Sequence, residues 1–110
     1  LADVLSHLAL WGGEEPDRGV RVVTISTYHS AKGLEFERVV CSGVHGRAFP
    51  PFHASDDEDR RESRRLLYVG MTRAEQHLVL THPKRNSYGS LPRSPFLNDA
   101  PTEWVEEREV

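Results

Sequence analysis

The sequence predicts an α/β fold with a largely parallel sheet. Three features carry that reading: three β-branched runs, one well-capped helix between the second and third of them, and the resulting strand–turn–strand–helix–strand order. With 110 residues the chain forms one domain at most and buries roughly two-thirds of its surface on folding. Hydrophobic residues make up 37% and charged residues 28%, enough for a modest core.

The elements follow in chain order. Leu1, Val4, Leu5, Leu8 and Trp11 recur at helical spacing, and the lack of a starting Met or of a cap before Leu1 suggests a helix cut at its front. Gly12-Gly13 stops it, and residues 14–19 read as a polar turn around Pro16. Residues 20–27 are β-branched at most positions and predict a strand with Val23, Ile25 and Thr27 on one face. A second strand is expected over 38–42, followed by the breaker-rich segment 43–52, and a third over 77–82, closed by Pro83. Between these two strands, Ser55-Asp56-Asp57-Glu58 matches a capping box with Ser55 as N-cap. Acids at the helix start and Arg60, Arg61, Arg64 and Arg65 behind them suit the helix dipole. Leu67, Met71 and Ala74 form one stripe; Leu66, Gly70 and Arg73 form its neighbour. Beyond Pro83 the chain reads as loop, with a short helix around 103–108. There is no internal repeat.

Several function classes fall away at once. No apolar run approaches the ~18–20 residues of a membrane span, and the N-terminus lacks a signal-peptide pattern. A single cysteine, Cys41, excludes an intrachain disulfide framework and fits a reducing compartment such as the cytoplasm. The net charge of −3 makes any nucleic-acid contact a local matter. Six scattered histidines and one cysteine offer no metal-ligand spacing. Adjacent His29-Ser30 is no nucleophile–base pair, because chain neighbours rarely face each other.

Three constellations remain. His29-Ser30-Ala31-Lys32-Gly33-Leu34-Glu35-Phe36 follows the first expected strand, and open α/β sheets collect ligands at strand carboxyl ends. A turn with His, Lys and Glu there could bind phosphate or sugar, although spacing alone favours a solvated turn. It lacks the Walker A spacing and cannot hold a nucleotide by itself. Arg73 could clamp a phosphate with its planar fork, or simply be a cation at a helix end. Its stripe with Leu66 and Gly70 aims it at the body of the fold or an adjoining surface, where a long charged side chain needs a partner. Finally, Lys84, Arg85 and Arg93 near Tyr88 suit single-stranded nucleic acid, though composition alone favours a solubilising loop.

Two longer stretches narrow these choices. Thr27-Tyr28-His29-Ser30-Ala31-Lys32-Gly33-Leu34-Glu35-Phe36 closely resembles motif V of the UvrD/Rep/PcrA group of superfamily 1 helicases, and Glu62-Ser63-Arg64-Arg65-Leu66-Leu67-Tyr68-Val69-Gly70-Met71-Thr72-Arg73-Ala74 resembles their motif VI. Between them, the stretch from Gly43 to Phe49-Pro50 matches a glycine-to-Phe-Pro segment of the family. The resemblance runs from about Leu1 to Pro101 and leaves 102–110 as a tail. It implies an ATP-dependent translocase that typically moves 3′ to 5′ on single-stranded DNA, with ATP in a cleft between two RecA-like domains. This chain would be the C-terminal part of the second. Arg73 would reach the γ-phosphate across the cleft, Glu35 would accept ribose hydroxyl hydrogens, and Lys32 and Gly33 would shape the same turn. Thr27 and His29 would approach the DNA backbone, and the Tyr88 ring would lie along the strand. Mg2+ would be held by the first RecA-like domain of the same polypeptide, and this chain alone would be inactive.

The pattern is departed from at Ser63, where the family usually has Glu, with a weakened local ion pair expected. His45 and Arg47 replace Glu and Gly, and Pro95 stands where an Arg often precedes Phe96. The competing reading is a non-enzymatic DNA- or protein-binding module that keeps the fold.

Overall fold

The computed structural model describes residues 22–110. The helix expected over 1–11, the stop and turn behind it, and Val20 and Arg21 lie outside the described residues.

Strand β1 (Phe36–Cys41) pairs in parallel with β2 (Ala74–Leu80), and helix α1 (Asp57–Met71) lies in the connection between them. Parallel neighbours cannot be joined by a tight turn, so a helical crossover is the natural link. The register runs from Phe36 opposite Ala74 to Cys41 opposite Leu80, with an irregularity between Phe36 and Arg38. Both strands begin earlier than their β-branched runs suggest, because the ladder starts where Phe36 N–H meets the Arg73 carbonyl at 2.9 Å.

The expected strand over 20–27 is not formed by its described part. Residues 22–27 carry no ladder, and Val23 and Ile25 are 88% and 64% exposed. A β-branched run becomes a strand only when an edge pairs with it, and none does among the described residues.

Helix α1 starts one residue later than the capping box implies. Asp56, extended at φ −132° and ψ 176°, is the N-cap, and its Oδ1 accepts from the Asp59 N–H at 2.8 Å. Asp59 reaches back to the Ser55 N–H at 3.2 Å, so the reciprocal pairing of a capping box survives in shifted form. The inward stripe is Ser63, Leu67 and Gly70, all buried. The Ser63 departure falls on this inward stripe and leaves both neighbouring arginines paired: Arg64 with Asp99 at 2.8 Å, and Arg65 with Glu58 at 3.0 Å.

Cys41, Val44, Phe49, Leu67 and Leu97 form the core, flanked by Tyr28, Val39, Leu66, Met71 and Leu80. Segment 43–52 enters this core through Phe49 and is pinned by Ser94, a fully buried residue whose hydroxyl donates to the Phe49 carbonyl. On the opposite face of the sheet the register partners Val40 and Val79 stay exposed, at 64% and 49%.

The region beyond Pro83 is more ordered than a loop. Strands β3 (Arg85–Asn86) and β4 (Gly89–Ser90) make a tight antiparallel hairpin, and short 3₁₀ turns occupy Pro95–Asp99 and Thr102–Trp104. The helix expected over 103–108 reduces to that last turn; residues 105–110 have no regular structure. Among the described residues no helix is long and apolar enough to cross a membrane.

Candidate functional site

The turn leading into β1 is built by its own residues. Thr27 Oγ1 accepts from the Ser30 N–H at 3.1 Å and donates to Ser30 Oγ at 2.9 Å, a hydroxyl-capped turn. Main-chain bonds from Ala31 to Thr27 (3.1 Å) and from Leu34 to Ala31 (3.1 Å) close it. Gly33 sits at φ +83°, where a side chain would be strained, so the turn requires glycine there. His29, Lys32 and Glu35 are exposed and make no side-chain hydrogen bond or ion pair among the described residues.

Arg73 follows α1 directly. Its Nε donates to the Val69 carbonyl at 3.0 Å, Nη1 to the Leu34 carbonyl at 3.2 Å and Nη2 to Thr72 Oγ1 at 3.2 Å. All three acceptors are neutral. Arg61, Arg64, Arg65, Arg93 and Arg108 each face a carboxylate, whereas Arg73 faces none among the described residues. Its guanidinium is therefore held in place with no described carboxylate compensating its charge, a state suited to an incoming anion. Among the described residues, the partners of this long charged side chain thus prove to be two main-chain carbonyls and a hydroxyl rather than an acid.

The structure brings Arg73 together with the turn of Lys32, Gly33 and Glu35. The link runs through Leu34, whose carbonyl accepts the guanidinium, and through Phe36, whose N–H reaches the Arg73 carbonyl. Thr27 belongs to the same turn but spends its hydroxyl inside it. Tyr88 stands apart, at the tip of the β3–β4 hairpin, 88% exposed, with its N–H on Asn86 Oδ1 at 2.9 Å. Of the nearby cations, Lys84 pairs with Glu109, and Arg93 pairs with Glu107 at 3.1 Å. Lys84 holds the Glu109 carboxyl below its ordinary range. The acidic tail thus covers part of the basic cluster around Tyr88.

Two residues of this region carry no role in the sequence reading. Tyr28 packs its ring edge-on to Phe49, with centroids 5.1 Å apart, and lies directly against Gly70. A glycine inside a good helix is the signal that could have found the pair, since glycine there costs stability without a packing reason.

A suitable group for ATP is present: an uncompensated guanidinium for phosphate, and the carboxylate of Glu35 to accept ribose hydroxyls. Among the described residues no three His, Cys, Asp or Glu side chains gather where a metal ion could sit.

Comparison with known proteins agrees with the motif reading. The family model of the UvrD-like helicase C-terminal domain matches residues 1–85. ATP-dependent DNA helicase UvrD1 of Mycobacterium tuberculosis is 41% identical over 115 residues, covering 98% of this chain and 15% of the relative. DNA helicase II of Escherichia coli is 44% identical over 109 residues, covering 94% of this chain and 15% of the relative. ATP-dependent DNA helicase PcrA of Bacillus subtilis is 41% identical over 98 residues, covering 84% and 13%. The chain thus spans about 15% of the length of these relatives. With both motifs joined at Arg73 and the match extending over most of its length, the chain belongs to the UvrD-like helicase C-terminal domain family.

Proposed function

We propose that this chain is the C-terminal part of the second RecA-like domain of an ATP-dependent DNA translocase, with residues 1–101 in that domain and 102–110 as a tail. The observation that carries this reading is the seat of Arg73: three neutral acceptors orient the guanidinium while its charge stays available.

In this reading Arg73 engages the γ-phosphate of ATP bound by the first RecA-like domain and stabilises the charge that develops during phosphoryl transfer. An arginine supplied across a cleft is worth ~10³–10⁵ in rate. Glu35 accepts the ribose hydroxyls, and Lys32 and Gly33 shape the turn that presents it. Because the guanidinium also rests on the Leu34 carbonyl, contact with phosphate is felt by the turn that carries His29 and Thr27, the side facing the DNA backbone. Tyr88 stacks along the single strand. Closure on ATP and opening after hydrolysis then move these DNA contacts relative to those of the partner domain. Without the first domain the chain binds DNA or nucleotide weakly and does not turn over ATP.

The test is ATP hydrolysis by the intact protein that carries this chain, with and without single-stranded DNA, for wild type and Arg73→Ala. DNA-stimulated turnover that falls by orders of magnitude while ATP still binds is the expected result. Unchanged turnover in the variant would remove Arg73 from the chemistry. A wild type without DNA-stimulated turnover would leave a non-enzymatic binding module.

A further inference from the structure

We infer that Tyr28 is a positioning residue: its ring, seated in the space left by Gly70, sets how the turn over 28–33 stands against the helix end that carries Arg73. The inference rests on the functional reading above.

The fit is closed to any other residue at position 70. A Cβ there would lie 2.4 Å from Tyr28 Cδ1, 2.5 Å from Cε1 and 3.5 Å from Cys41 Sγ. Gly70 is also the backbone anchor of the next residues, since its carbonyl accepts from the Arg73 N–H at 3.2 Å. Ring and arginine are therefore referenced to one peptide unit. On the other side of the turn, Arg73 returns to Leu34 through its side chain and to Phe36 through its carbonyl. The turn is thus held at both ends against the same helix terminus, with His29, Lys32 and Gly33 between the two ties and Glu35 within the second.

The ring does this work and the hydroxyl does not. Tyr28 Oη is buried and finds no partner beyond the adjacent Cys41 thiol, a weak hydrogen-bonding group that returns little of the desolvation cost. Phenylalanine should therefore replace tyrosine without loss, whereas alanine should release the first tie.

The experiment compares Tyr28→Ala, Tyr28→Phe and Leu97→Ala, a core variant that takes part in neither tie of the turn, in the intact protein. It reads kcat and KM for DNA-stimulated ATP hydrolysis, thermal midpoint, and hydrogen exchange at the Ala31 and Leu34 amides. Misplacement of a positioned group by about 1 Å costs on the order of 10²-fold. Tyr28→Ala is expected to lower kcat by at least roughly tenfold, with the ATP KM within about threefold, and to speed exchange at both amides by about tenfold. Tyr28→Phe should restore all three, and Leu97→Ala should lower the midpoint without moving kcat or turn exchange. The inference is overturned if Tyr28→Ala behaves as Leu97→Ala does, or if Tyr28→Phe fails to rescue. A wild type without DNA-stimulated turnover defeats the functional reading separately. The exchange comparison then decides: faster turn amides in Tyr28→Ala alone support the positioning role, and unchanged amides overturn it.

Discussion

The Arg73 guanidinium donates to the main-chain carbonyl of Leu34 at 3.2 Å, across 39 residues of sequence. One side chain therefore joins the two motif segments, and its fork geometry matters as much as its charge. Arg73→Lys keeps the charge but cannot reach Val69, Leu34 and Thr72 together. DNA-stimulated ATP turnover of the intact protein is expected to fall by about 10²-fold or more, with stability lowered by only ~1 kcal/mol. Steady-state kinetics and thermal denaturation of the pair check both halves.

The helix cap separates two neighbouring residues. Asp56 accepts the capping bond from the Asp59 N–H at 2.8 Å, whereas Ser55 donates to the Asp59 carboxylate, through its N–H at 3.2 Å and its hydroxyl only at 3.5 Å. Asp56→Ala should cost ~1 kcal/mol and Ser55→Ala much less. Denaturant unfolding of the two variants side by side would reverse the assignment if Ser55→Ala proved the costlier.

Alkaline pH should weaken the core. Burial, with the Cys41 thiol beside it as a second cause, pushes the Tyr28 phenol above its ordinary value, and burial raises Cys41 against an opposing effect of the Tyr28 hydroxyl. Both folded values lie above the unfolded ones, so the folded chain holds these protons longer. Their stabilising share is whole below the unfolded values, about 8.5 for the thiol and about 10 for the phenol, and is lost as pH rises through the folded values. A thermal midpoint followed from pH 7 to about 11 should decline over the upper part of this range. The decline should flatten in the double variant Tyr28→Phe, Cys41→Ala.

Tyr88 projects from the hairpin tip and supports nothing in the core. Tyr88→Ala should leave the thermal midpoint unchanged while weakening single-stranded DNA binding by about 5- to 150-fold, the loss of one stacked base. Fluorescence titration with an oligonucleotide at fixed salt measures it, and unchanged affinity would take Tyr88 off the DNA path.

Much of the fold was legible because its signals are local. β-Branched runs mark β1 and β2, the acidic cap marks the start of α1 to within one residue, and the motif pattern singles out Arg73 and Glu35. The hairpin at Arg85–Asn86 and Gly89–Ser90 was missed because two-residue strands leave almost no periodicity. The expectation of a strand over 20–27 rests on composition, which carries a preference for pleated surfaces but not the presence of a partner edge.

Spacing, caps and residue identity are properties of the chain, and they suffice for the parallel strand–helix–strand unit and the family. What Arg73 leans on and why position 70 must be glycine emerge only once the segments pack. A main-chain carbonyl such as that of Leu34 is the same in every residue and leaves no mark on the sequence. The Tyr28–Gly70 contact is likewise a close approach between segments distant along the chain, set by how the turn packs on the helix rather than by either segment alone.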